Sequence, residues 1–203
     1  MKKTLVMLGF VAIVCLSFAS LAPVVRAPPA HDISILSVTP NTHVQYPGRM
    51  VDIAVLVKNN GTTAENFNVT AYRNNQTHNF EIGKIEVLNL GPGNDTTIIF
   101  HWNTLGLTPC QNWTIRAEAP IDLDEYPDDN NVTDGSVKIT IPGDIDGNGE
   151  IELYDIVAAG LAFGATPSDT EHWNPLADIV ADDLIDIFDL VDMSRHYGDT
   201  CIP

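Results

Sequence analysis

Between residues 30 and 141 apolar side chains return at every second position. Val51-Asp52-Ile53-Ala54-Val55-Leu56-Val57-Lys58 is the clearest run. A two-residue period puts one face of a strand in a core and the other toward water. The same alternation recurs in Phe67–Ala71, Ile98–Trp102, Trp113–Ala117 and Val137–Ile141, and Ile33–Val38 and Phe80–Leu90 bring the count to about seven strands. Tyr46-Pro47-Gly48, Asn59-Asn60-Gly61 and Gly91-Pro92-Gly93-Asn94 supply the turns between them. About 110 residues in this pattern predict a seven-stranded, immunoglobulin-like β-sandwich with one core. Trp102 and Trp113 alternate with polar neighbours, which predicts core positions rather than sugar-stacking platforms.

After Pro142 the alternation gives way to D-I-D-G-N-G-E-I-E-L-Y-D over residues 144–155. Ca²⁺ takes six to eight oxygen ligands, and a tight loop supplies them from alternate positions. Asp144, Asp146 and Asn148 stand at positions 1, 3 and 5, and Gly149 at position 6 permits the sharp turn. Glu150 offers its carbonyl at position 7, Glu152 stands at position 9, and Asp155 closes the loop at position 12. Ile151 at position 8 points to a core. The expected cofactor is therefore Ca²⁺.

The unit repeats thirty-four residues later, as D-I-V-A-D-D-L-I-D-I-F-D over residues 178–189. Here Asp178, Asp182, the Leu184 carbonyl, Asp186 and Asp189 are the candidate ligands. Val180 takes the place of an oxygen at position 3 and Asp183 the place of glycine at position 6, so this site is expected to be the weaker. Apolar patterns after each loop match: Ile156-Val157 with Leu190-Val191, and Phe163-Gly164 with Tyr197-Gly198. These predict a helix behind each loop, in a C-terminal module of residues 142–203.

The N-terminus points to export. Lys2 and Lys3 precede an apolar stretch from Leu5 to about Val25, so residues 1–27 read as a signal peptide or an uncleaved membrane anchor. Ser17-Phe18-Ala19 is the better cleavage candidate, and Cys15 reads as apolar filling. Six Asn-x-Ser/Thr sequons, at Asn60, Asn68, Asn75, Asn94, Asn112 and Asn131, lie between that segment and the first loop. Chance would place roughly two, which favours an exported, glycosylated surface. Beyond Cys15 only Cys110 and Cys201 remain. They are candidates for one disulfide, with unpaired thiols or an intermolecular bridge as alternatives.

Net charge is −17, and the region from Pro142 onward holds fourteen acidic residues against Arg195 alone. That balance disfavours nucleic acid and anionic membrane surfaces as partners, leaving the N-terminal segment as the only membrane attachment. The acidic run Asp122–Asp134 reads as a solvated loop or a further cation site. The six histidines, at positions 31, 43, 78, 101, 172 and 196, form no metal pair, and no G-x-S-x-G, P-loop or Cys-His motif is present. The chain is therefore not expected to be an enzyme.

Two family resemblances follow. Pro47-Gly48, Val57-Lys58-Asn59-Asn60-Gly61, Asn66-Phe67-Asn68-Val69, Leu90-Gly91-Pro92-Gly93, Phe100-His101-Trp102, Asp124-Glu125 and Asn130-Asn131 succeed one another over residues 30–141. That succession resembles the CARDB domain, an immunoglobulin-like module of bacterial and archaeal surface proteins. The resemblance implies adhesion, spacing or display at the cell surface rather than catalysis. Residues 142–199, with Asp at position 12 of both loops, resemble a dockerin, a double EF-hand module. This implies a cohesin-like or other cell-surface protein as partner. The residues at positions 10 and 11, Leu153-Tyr154 and Ile187-Phe188, are either an apolar docking face or the module's own core. Three readings stand: a surface protein docking through its calcium module, a polysaccharide- or matrix-binding protein carrying that module as a tag, and a calcium staple that binds nothing.

Overall fold

The computed structural model describes residues 27–75 and 77–201; the apolar stretch Leu5–Val25 expected to direct export, with Ser17-Phe18-Ala19 and Cys15, lies outside the described residues. The strands are β1 (Ile33–Pro40), β2 (Val44–Gln45), β3 (Met50–Asn59), β4 (Glu65–Asn74), β5 (Asn79–Leu90), β6 (Asp95–Asn103), β7 (Gln111–Glu118) and β8 (Asn131–Ile139). Two helices follow, α1 (Leu153–Leu161) and α2 (Ile187–Arg195), and a 3-10 turn spans Pro127–Asp129.

The strands form two sheets, ordered β1-β3-β6 and β2-β8-β7-β4-β5. All pairings are antiparallel except the short parallel contact of β2 with β8. Val51, Ile53, Val55 and Val57 of β3 are fully buried and face Val69, Ala71, Ile115, Ala117, Val137 and Ile139 of the larger sheet in one core. Alternation therefore located the inner faces of β3, β4, β6 and β7, whereas Phe80, Ile85 and Leu88 of β5 are exposed.

Two details differ from the expected seven strands. Val44–Gln45 adds an eighth strand too short to show a period. The last strand begins at Asn131, not Val137, and ends at Ile139, because Asn131–Thr133 pair with Glu118–Arg116 of β7. Its first half is mostly exposed and polar, so the acidic run hid it. Thr140 and Ile141 already belong to the turn into Asp144, whose amide donates to the Ile141 carbonyl at 3.1 Å.

A second core joins the helices: Ile145, Ala159, Ala162, Ala165, Ala177, Ile185 and Met193. The two loop–helix units clasp each other through the position-8 isoleucines. Gly164 donates to the Ile185 carbonyl and Ile185 to Ala165; likewise Gly198 donates to Ile151 and Ile151 to Asp199. No helix among the described residues is long and apolar enough to cross a membrane.

Candidate metal centre

Asp144, Asp146 and Asp155 bring carboxylate oxygens within 4.8 Å of one another. Local geometry explains why. Gly147 and Gly149, at φ 74° and 102°, turn the chain so that Asp144 reaches back to the Gly149 amide at 2.9 Å. Adding a Cβ at Gly147 would meet Val44 at 2.5 Å, so glycine is needed there for space as well as for φ. Asp155 is at once the closing residue of the loop and the third residue of α1. One of its oxygens accepts from the Ile145 amide at 2.8 Å, and the other accepts from the Glu152 amide in a reciprocal capping box. Asn148 donates to Asp146 and to Glu152, both at 3.2 Å, which draws position 9 toward the group.

Asp144 is fully buried, and its Oδ1 has no hydrogen-bond partner. Burial pushes its carboxyl above the ordinary range; the Thr140 hydroxyl, the Gly149 amide and the Lys138 ammonium oppose that shift. An orphaned buried carboxylate oxygen is costly unless a cation or donor meets it. The donor set is all oxygen, anionic and flexible, which fits Ca²⁺ rather than a soft metal. Asp144, Asp146 and Asp155 would hold the ion, with Asn148, Glu152 and the Glu150 carbonyl in the positions that complete it.

The second loop keeps the scaffold without the cluster. Asp178 is buried and accepts from the Asp182 and Asp183 amides at 3.1 and 3.3 Å. Asp189 repeats both bonds of Asp155, to Ile179 at 2.8 Å and to Asp186 at 2.8 Å, and Asp186 caps α2. Ala181 and Asp183 take the left-handed positions of the two glycines, at φ 62° and 65°. Leu184 donates to Asp182, which leaves its carbonyl for position 7. Val180 is half exposed and brings no oxygen, and no close group of three carboxylates forms here among the described residues.

Leu153, Tyr154, Ile187 and Phe188 are 63%, 73%, 54% and 66% exposed, so they are not core. Val157, Leu161 and Val191 extend the apolar faces along α1 and α2. Cys110 and Cys201 are bridged, with Cα atoms 5.2 Å apart. Of the sequon asparagines, Asn60, Asn68, Asn94, Asn112 and Asn131 are exposed and Asn75 is half-buried. Asn60 donates its amide to Ser34, and Asn75 accepts from Thr77 and His78. Trp102 and Trp113 are buried edge-to-face in the sandwich core, and His101 is exposed against Asp52.

Several residues that seat the module on the sandwich had no signal in the sequence. Tyr46 Oη donates to the Leu176 carbonyl at 2.8 Å. Arg49 donates to the carbonyls of Pro175, Asp178 and Ile179 at the start of the second loop. Lys138 Nζ donates to the Gly147 carbonyl at 2.5 Å, and Thr140 Oγ1 to Asp144. The Tyr46 and Arg49 contacts join residues about 130 apart, and Lys138 lies on the polar side of β8, where periodicity is silent.

The CARDB family model matches residues 30–135, ending before the first loop. Among solved structures, a β-glucosidase from Erythrobacter marinus is 15% identical over 54% of this chain and 16% of its own length, at a TM-score of 0.45. This chain thus spans a small part of that enzyme. The CARDB domain of a Pyrococcus furiosus protein, solved in complex with di-metal ions, is 19% identical over 57% of this chain and 99% of that domain, with a TM-score of 0.45. A domain from Methanosarcina acetivorans, whose parent is provisionally named a cell surface protein, is 17% identical over 53% of this chain and 92% of the domain, with a TM-score of 0.41. Comparison with curated proteins found no match.

Proposed function

The chain belongs to the CARDB family, whose model covers residues 30–135 of its 203, and from that premise we propose an exported, non-catalytic surface protein with a docking module at its C-terminus. The sandwich serves as spacer or adhesion domain. The module of residues 142–203 binds Ca²⁺ through the first loop and, in line with its resemblance to dockerins, presents its helix starts to a cohesin-like surface protein.

One observation carries this reading: each calcium-type loop presents two large apolar residues to solvent at positions 10 and 11, just before its closing aspartate. Asp155 and Asp189 each lock the loop's first turn to its helix's first turn. An ion held at Asp144 would thereby fix the direction of Leu153 and Tyr154. Tyr154 and Phe188 offer the largest areas for a partner to bury.

Polysaccharide binding finds less support. Trp102 and Trp113 lie in the core, and Trp173 packs against the helix core. A purely structural staple accounts for the bridge and for the Arg49 contacts, but leaves the four exposed helix-start residues without a role.

The test uses the full chain. Calorimetric titration should show one dominant Ca²⁺ site. Host surface proteins should be retained on the immobilised chain in calcium and released by chelator. Tyr154→Ala with Phe188→Ala should abolish retention while leaving the calcium isotherm unchanged. Absence of calcium heat would refute the metal reading, and retention by the double variant would refute the docking face.

A further inference from the structure

We propose a second cation site, on the sandwich itself, where Asp32, Asp129 and Asn130 present three buried oxygens that no donor reaches. Asp32 Oδ1, Asp129 Oδ1 and Asn130 Oδ1 are all buried and lack a hydrogen-bond partner. Asp32 is 5% exposed and Asn130 6%, so water does not compensate them at the surface. Their surroundings are otherwise well satisfied. Asp124 Oδ2 accepts from the Ile33 amide at 3.2 Å and from Asn130 Nδ2 at 3.0 Å, and its Oδ1 accepts from Tyr126 at 2.7 Å. Glu125 accepts from the Ala30 amide at 2.6 Å and donates its own amide to His31. These bonds fold residues 124–130 onto the start of β1, close enough for the Asp32 carboxylate to act on Asp129.

The orientation of Asn130 is fixed by its neighbour. Turning the amide over would set its oxygen against the Asp124 carboxylate, so the oxygen faces away from Asp124 and is left without a donor. The neighbouring charges that act on Asp32 and Asp129 are negative. Asp124 and Glu125 act on Asp32; Asp32, Asp124 and Asp128 act on Asp129. No ion pair reaches Asp32, Asp124 or Asp129 among the described residues, and nearby His31 is engaged with Glu65. Burial, then these neighbouring carboxylates, push the Asp32 and Asp129 carboxyls upward, against hydrogen bonding from the Asn60 side chain at Asp32 and from its own backbone at Asp129. A divalent cation would answer both the orphaned oxygens and the repulsion.

Two carboxylates and an amide oxygen are hard donors, which selects Ca²⁺ over soft metals. With so few protein ligands the affinity is expected in the weak range of extracellular modules, a Kd of about 10⁻⁴ to 10⁻³ M. The Asp144 loop is built more tightly, since here no three carboxylates close to within 4.8 Å. A bridging water or a shared proton is the competing occupant.

The experiment is calorimetric melting of the full chain carrying Asp155→Ala, which weakens the first loop, in chelator and in calcium. At about ten times Kd, calcium should raise the folding equilibrium constant about tenfold. Adding Asp32→Asn should remove that increment, and in chelator the midpoint should hold or rise because a repelling charge is gone. Asp129→Asn is the second variant and should behave alike. No calcium response in Asp155→Ala overturns the proposal, as does an Asp32→Asn loss that is equal in calcium and chelator, which would mark a water- or proton-bridged structural cluster. If wild type and Asp155→Ala gain equally from calcium and Asp32→Asn removes that gain, the first-loop reading fails and this one stands.

Discussion

Replacing Cys110 and Cys201 together by alanine should destabilise the whole chain and loosen the first loop. The bridge spans a sequence separation of 91 and closes β7, β8 and both loop–helix units into one ring. Chain-entropy reasoning for a loop near that length gives a ceiling of roughly 4.6 kcal/mol, and native bridges commonly deliver about 2–4 kcal/mol. The lower end corresponds to roughly a thirtyfold change in the folding constant. The local effect is separate. Cys201 donates its amide to the Gly149 carbonyl at 2.6 Å, Thr200 bridges Glu150, and Ile151 donates to Asp199 at 3.0 Å. The bridged tail therefore splints positions 6 to 8 of the loop. Without it, calcium affinity should fall by several-fold. Urea unfolding followed by far-ultraviolet circular dichroism measures the first effect, and calcium titration of the same samples the second. Double-variant and wild-type midpoints that coincide in calcium would refute the entropic argument. An unchanged calcium isotherm would refute the splint.

Asp155→Ala should weaken calcium binding more than Asp189→Ala, because Val180 has already cost the second loop an oxygen; two equal, tight sites by calorimetry would contradict this. Ala181→Gly should stabilise the chain slightly, by roughly 0.5 kcal/mol, since relief of a left-handed residue outweighs the added glycine entropy. Ala181 is exposed at φ 62°, so little else changes, and a lowered urea midpoint would show that its backbone is not strained.

Much of the fold could be read from spacing because its core obeys a simple period. Val51 to Val57 show this best: four inward residues, each fully buried. The gathering of Asp144, Asp146 and Asp155 was equally readable, since residue spacing and glycine placement are local requirements. Other features were hidden for physical reasons. β2 is two residues long, and the first half of β8 is mostly exposed, so neither carries an apolar rhythm. The contact of Arg49 with the second loop joins residues about 130 apart by a guanidinium on backbone carbonyls, which leaves no residue-type signature. Asp32 lies nearly a hundred residues before Asp129 and Asn130. Only folding shows that the acidic run turns inward there. Positions 10 and 11 of each loop were ambiguous because large apolar residues at a helix start suit a core as well as a surface, and only accessibility separates the two.

The bridge also decides how the molecule would carry tension. Pulled from α1 or α2, a chain joined only by residues 140–143 would concentrate the load on a short covalent connector. Here a second covalent route runs from the tail through Cys201 and Cys110 to the start of β7. β7 lies inside the five-stranded sheet, hydrogen-bonded on one side to β4 and on the other to β8. Force entering there would shear two ladders at once instead of peeling an edge strand, the stiffer of the two ways to load a sheet. In the oxidised state, the module and the sandwich therefore bear load as one body.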